Sequence, residues 1–184
     1  MDRGIREVMM TTRENEEFYE KYELRTIRPD EAETVEAIEL ACFPPNEACK
    51  LPIMKQRVEL APDIFLVTVE KETGKMIGYI TGLATNEVHL RDEFFTEPTL
   101  HDPDGDNVMI LSVAVLPEYQ KQGIAREMMQ EYLRRENSRN RRLVVLTCLA
   151  GKVKMYNKFG FFDCGGSDSA WGGESWHEMA YVLN

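Results

Sequence analysis

Apolar positions along the chain fall into two patterns. One is the three-and-four spacing of an amphipathic helix, and the other is the short apolar run of a strand. "LRTIR" suits a short strand. Ala32, Val35, Ile38 and Cys42 then recur at helical spacing, and Asp30 with Glu33 has the spacing of a capping box at that helix's start. Pro44 and Pro45 in "FPPNEAC" end the helix, because proline has no N–H to donate. "MKQRVELA" reads as a second helix. "IFLVTVE" (Ile64–Glu70) and "MIGYITGLA" read as strands joined by the turn "KETGK".

A long polar stretch follows, "TNEVHLRDEFFTEPTLHDPDGDN". Connections of that length are mostly functional or mobile, so a loop is expected. "VMILSVAVL" is a buried strand by length and composition. In "GIAREMMQEYLRRE", Ile124, Ala125, Met128, Met129, Tyr132 and Leu133 make one helical stripe. "RLVVLTCL" is a further strand, and "KVKMYNKF" is a short helix stopped by Gly160. "GFFDCGG" and "SWHEMAYVLN" close the chain as strands. The order is β-α-α-β-β-β-α-β-α-β-β. Its strand–helix–strand unit implies a right-handed crossover between parallel strands, and its hairpins imply antiparallel neighbours. The expected fold class is a mixed α/β sheet that is not doubly wound. Residues 1–22 read as an N-terminal extension, helical or partly ordered, and residues 23–184 as one domain.

Composition narrows the class. With 43% apolar and 29% charged residues, the chain reads as soluble and globular. No apolar run approaches the ~18 residues of a membrane span. The N-terminus has no apolar core of a signal peptide and too many acids for a transit peptide, so a cytoplasmic location and no membrane partner are expected. Cys42, Cys49, Cys148 and Cys164 form no C-x-x-C pair, which suits a reduced compartment. Neither they nor His89, His101 and His177 have metal-ligand spacing, and no metal is expected. "DPDGDN" begins like a calcium loop, but its glycine falls at position four and Val113 at position twelve.

The formal net charge of −10 disfavours nucleic acid as a partner. Between Asn137 and Phe162, however, there is no acid, while Arg139, Arg141, Arg142, Lys152, Lys154 and Lys158 are basic. Such a segment is either a solvated face or a seat for a small anion.

Two stretches carry candidate chemistry. "QKQGIA" (Gln120–Ala125) links a buried strand to a helix that starts near Gly123. The first turn of a helix has unpaired N–H groups at the positive end of its dipole, a natural partner for phosphate. Gly123 lets a ligand approach the backbone, Ala125 keeps the next turn slim, and Lys121 and Arg126 add charge. A plain strand-to-helix turn explains Gly123 equally well. The stretch is neither a dinucleotide fingerprint nor a P-loop. "MYNKFGFF" sets Tyr156 on a short helix near three lysines. A buried phenol can give a proton to a leaving group, or it can simply fill a core.

Together, Q-x-x-G-x-A after one strand and Y-N-K-F-G-F after the next resemble the GNAT superfamily of acetyl-CoA-dependent N-acetyltransferases. The resemblance spans about Tyr22 to Asn184 in element order. It implies a mostly antiparallel sheet with a central splayed parallel pair flanked by helices. It implies that the pantetheine arm of acetyl-CoA lies along the backbone of Val113, Ala114 and Val115. It implies that the loop opened by Gln120, through the amides of Lys121, Gln122, Gly123, Ile124, Ala125 and Arg126, holds the pyrophosphate. Tyr156 would meet the thioester sulfur and act as general acid for the departing thiolate.

"LTCLAGKVKMYNKFGF", "ACFPPNEA" and "SDSAWGGESWHEM" are similar to stretches in the branch of serotonin (aralkylamine) N-acetyltransferase and its bacterial relatives. Vertebrate members carry two histidines on the strand before the loop, where this chain has Met109 and Leu111. Glu47 in "PPNEA" is then a candidate base or amine anchor, while His177 lies on a terminal strand. Trp171 and Trp176 either line the acceptor pocket or pack a hairpin. The implied activity is direct acetyl transfer to a small primary amine by a monomer or homodimer. The alternatives are a non-catalytic acyl-CoA sensor and an acetyltransferase of protein N-termini or lysines.

Overall fold

The computed structural model describes residues 16–184, and the greater part of the expected N-terminal extension lies outside them. Residues 16–21 are helical, with Phe18 buried in the main core. Seven strands follow: β1 (Tyr22–Thr26), β2 (Leu66–Glu70), β3 (Met76–Thr85), β4 (Asn107–Val115), β5 (Leu143–Cys148), β6 (Phe162–Gly166) and β7 (His177–Val182). They form one sheet in the order β1-β2-β3-β4-β5-β7-β6. Only β4 and β5 run parallel, and every other neighbouring pair is antiparallel. This is the mixed sheet that the element order implies.

The helices are α1 (Ala32–Cys42), α2 (Leu51–Leu60), α3 (Glu93–Thr96), α4 (Ile124–Ser138) and α5 (Val153–Lys158). On one face of the sheet, the α4 stripe of Ile124, Met128, Met129, Tyr132 and Leu133 packs on Ile80, Val108, Ile110, Val144 and Leu146. Fully burying side chains of this size stabilises by about 1.5–3 kcal/mol each. On the other face, α1 and α2 bury Val35, Ile38 and Met54 against Val67, Tyr79 and Ala114.

The long polar stretch is a cover rather than a loose loop. It contains α3, and its Leu90 and Phe94 pack on Leu83, Met109, Val145 and Ala180. The few apolar residues in it suffice to hold it on the sheet face that α1 and α2 leave bare.

Two local expectations are corrected. Asp30 and Glu33 form no capping box. Helix α1 starts at Ala32 with Glu31 at its N-cap and no side-chain cap bond. The Glu31 carboxylate instead accepts the Arg28 N–H at 2.8 Å and an Arg25 Nη1–H at 2.8 Å. A charge-assisted pair with a guanidinium outcompetes a bond to a neutral helix amide. Ile64 also falls outside β2, in a 3₁₀ turn over Pro62–Ile64.

Candidate active site

The parallel ladder between β4 and β5 is short. It joins Asn107 to Leu143, Val108 to Val144 and Met109 to Val145, and then stops. Strand β4 goes on to Val115, still paired with β3, and β5 goes on to Cys148, still paired with β7. A gap therefore opens between two strands that are each held from behind.

A bulge accounts for the parting. Thr81 pairs with Ser112 and Gly82 with Ile110, so Leu111 is an extra residue on β4. A bulge bends its strand and strengthens the local twist. Glycine is required opposite it, since a Cβ on Gly82 would lie 2.3 Å from the Met109 carbonyl oxygen.

Beyond Val115 a 3₁₀ turn (Pro117–Tyr119) leads into the glycine loop. Gln120 Nε2 donates to the Val115 carbonyl at 2.9 Å and Gln122 Nε2 to that of Glu118 at 3.2 Å. Lys121 and Gly123 are both left-handed, with φ of 61° and 82°. Helix α4 then starts without a side-chain cap. Its first inward donors are the N–H groups of Arg126 and Glu127, both to Gly123 O. The Ile124 and Ala125 amides are left pointing outward at the positive end of a fifteen-residue helix. A Cβ on Gly123 would meet no atom within 4 Å, so the glycine serves its backbone angle and the space above it is open. Such a turn can hold a phosphate.

Tyr156 lies on α5 and is 8% exposed. Phe159 and Phe161 meet its ring edge-on, each with centroids 5.9 Å away. Burial, and then the neighbouring Cys148 at the end of β5, pushes its phenol well above the ordinary tyrosine value. The group stays protonated at neutral pH and has a proton to give. The Cys148 thiol is itself pushed up to about 11, chiefly by burial.

Three segments meet on the opposite side of the sheet. Trp171 Nε1 donates to the Glu47 carbonyl at 3.1 Å, and Asn46 Nδ2 donates to the Gly172 carbonyl at 2.7 Å. The Trp171 ring stacks on Phe95 at 4.7 Å. Asp92 accepts the Ser169 hydroxyl at 2.5 Å and the Ala170 N–H at 3.1 Å. Trp176 Nε1 donates to Trp171 O at 2.9 Å. The two tryptophans thus bind loops together. The Glu47 carboxyl is raised by partial burial and then by Glu174. His177 is engaged by Asp163 at 3.1 Å.

Met109 is fully buried beneath Leu90 and Phe94, and Leu111 is half-buried beside them. Sequence reasoning missed the polar group next to them. Glu39 of α1 is 2% exposed and Arg57 of α2 is 3% exposed. Glu39 stands four residues after Val35, on the buried stripe, and that spacing was the available signal.

A seven-stranded mixed sheet parted at its parallel pair, with an uncapped helix start beyond the gap, is the GNAT fold. Residues 31–161 match the acetyltransferase (GNAT) family, and the chain belongs to it. It is an acetyltransferase domain with acetyl-CoA as co-substrate. No curated protein matches the sequence.

Among solved structures, the loading GNATL domain of CurA from Lyngbya majuscula is similar, with a TM-score of 0.75 and 16% identity over 88% of this chain and 97% of that one. The GphF GNAT-like decarboxylase in complex with isobutyryl-CoA has a TM-score of 0.73 and 15% identity over 88% and 100%. The ribosomal-protein-S18-alanine N-acetyltransferase from Escherichia coli has a TM-score of 0.64 and 15% identity over 89% and 94%. At such identities the likeness is one of fold. Among the described residues, no helix is long and apolar enough to cross a membrane, and no cluster of three or more His, Cys, Asp or Glu side chains is placed to hold a metal ion.

Proposed function

We propose that the protein transfers acetyl from acetyl-CoA directly to the nitrogen of a small primary amine, with Tyr156 as general acid. The observation that carries this reading is Tyr156 itself, a buried, protonated phenol beside the end of β5 where the gap opens. The gap, the outward amides of Ile124 and Ala125, and the open space over Gly123 fit an extended thioester with a pyrophosphate. In this reading the backbone of Val113, Ala114 and Val115 holds the pantetheine arm, and the loop from Gln120 to Arg126 holds the pyrophosphate.

Direct transfer is favoured over an acyl-cysteine step. Burial pushes the Cys49 and Cys148 thiols up to about 11, and a thiol that stays protonated is a poor nucleophile. The protein contributes proximity and orientation to a thioester that is already reactive. Glu47 stands on the acceptor side as an anchor for the amine cation. The joint of Trp171 to Glu47 and Phe95 bridges the loops there, which favours a small acceptor over an extended peptide. The sequence likeness to the aralkylamine branch supports the same choice.

Thiol release from acetyl-CoA, measured with a panel of primary amines and peptides, tests the proposal. Release with a small amine is expected. Tight acetyl-CoA binding without release for any acceptor identifies a sensor, and release with peptides alone identifies a protein acetyltransferase.

A further inference from the structure

An amine with a pKa near that of lysine, ~10.4, is almost wholly protonated at neutral pH and must lose a proton before it attacks. Met109 and Leu111 have no group to receive it. One buried acid next to the bulge does. Because Leu111 is the extra residue of β4, Leu111 and Ser112 lie on the same face: Leu111 packs with Phe94, and Ser112 meets α1. The Ser112 hydroxyl donates to Glu39 Oε1 at 3.3 Å, and the Cys49 N–H donates to the same oxygen at 2.9 Å. Glu39 Oε2 is buried with no partner. Ser112 directly precedes Val113, the first backbone group assigned above to the thioester arm.

We propose that Ser112 and Glu39 form the route by which the acceptor nitrogen loses its proton, Ser112 touching the amine and Glu39 receiving the proton. This rests on the small-amine reading. The ammonium gives its proton to Ser112 Oγ while the Ser112 hydroxyl proton passes to Glu39. The neutral nitrogen then bonds to the acyl carbon as the C–S bond breaks. The departing sulfur takes the Tyr156 proton, and the second nitrogen proton restores the phenol. Glu39 later releases its proton to water, so the net reaction liberates one proton.

The groups facing Glu39 suit this role. Burial leaves the carboxyl above its ordinary value, while the Cys49 N–H, then Arg57 of α2, then the Ser112 hydroxyl favour its charged form. The thiols of Cys42 on α1 and Cys49 before α2 also face it, and both are raised. Arg57 Nε and Nη1 have no hydrogen-bond partner, so its charge is not spent on another acid. A base with its pKa shifted toward the working pH is the effective kind.

The test uses the full chain with the best amine from the panel. Glu39→Gln preserves acceptance of the Cys49 and Ser112 bonds, so the fold is expected to survive, with melting temperature as the check. Its kcat/KM for the amine at pH 7 should fall about 100-fold or more. Its acid limb should disappear, leaving a rate that follows the deprotonation of the free amine, with acetyl-CoA KM unchanged. Ser112→Ala should behave alike, and Ser112→Thr should recover the rate. A wild-type pH profile in Glu39→Gln, or equal rates in the Ala and Thr variants, overturns the route alone. If the wild-type chain acetylates no amine, the small-amine reading falls and the route falls with it.

Discussion

Met109 of β4 stands beside Val145 of β5, and this is the last pairing between the two parallel strands. Past it the sheet is open, each strand held by its outer neighbour. Leu111 and Ser112 are on one edge, Cys148 is on the other, and Tyr156 approaches from α5.

Tyr156→Phe keeps the ring and removes the proton. Turnover should fall about 10²–10⁴-fold, the usual worth of general acid–base help, with acetyl-CoA affinity nearly unchanged. Thiol-release kinetics and calorimetric titration separate the two. Because burial raises the phenol pKa, Tyr156 should add no alkaline limb to the wild-type profile below pH 10.

Gly123→Ala puts a side chain on a residue with φ of 82° and into the open space above the loop. The left-handed conformation costs about 1–2 kcal/mol for such a residue. Acetyl-CoA KM should also rise. Gly123→Asn, which tolerates the angle better, should recover stability but not KM. Recovery of both would show that the loop is only a turn.

Trp171→Ala cuts the stack on Phe95 and the bond to the Glu47 carbonyl. An aromatic pair is worth about 0.5–1.5 kcal/mol beyond its burial. The amine KM should rise several-fold, while acetyl-CoA KM holds. A parallel rise in both constants would detach these loops from the acceptor.

Phe94 is 1% exposed and closes the sheet face over Met109 and Leu83. Phe94→Ala should destabilise by about 3–5 kcal/mol, read from urea unfolding. A change below 1 kcal/mol, the scale of a surface site, would mean that the 85–107 stretch is a loose loop after all.

His89 ties this same cover to β7. Its Nδ1 meets Glu178 Oε1 at 2.7 Å, and Glu178 Oε2 accepts the Leu90 N–H at 3.1 Å. The hydrogen bond to Glu178 raises the His89 pKa above the ordinary histidine value of 6.5. A raised folded pKa gives stability that is fully present below 6.5 and is lost as pH climbs through the folded value. The side chain is 79% exposed, so screening keeps the effect small. The melting-temperature difference between wild type and His89→Gln should be largest below pH 6.5 and shrink as pH rises through the raised folded value. A difference that ignores pH would assign the role to packing.

Much of this could be read along the chain because its signals are local. Ile124, Met128, Tyr132 and Leu133 announce one face of α4, and Gly123 announces the turn into it. The capping box failed because the helix starts at Ala32 with Glu31 at its N-cap, one residue later than Asp30 and Glu33 require, and Arg25 of β1 holds the Glu31 carboxylate. The 85–107 stretch looked like a loop because its anchoring residues are few, and their partners Leu83, Met109 and Ala180 come from three different strands.

The sequence by itself determined the seven strands, the helices α1, α2, α4 and α5, their order, the mixed sheet and the glycine on which the turn into α4 depends, since hydrophobic period and backbone preference act within a few residues. Tertiary structure alone decided where β4 leaves β5, that Leu111 is the bulged residue, and that Glu39 is buried against Ser112. Those outcomes depend on register between strands and on which helix covers which face. Pairings such as Gly82 with Ile110 and Glu39 with Ser112 join residues far apart in the chain, and only the closed fold brings them within reach of each other.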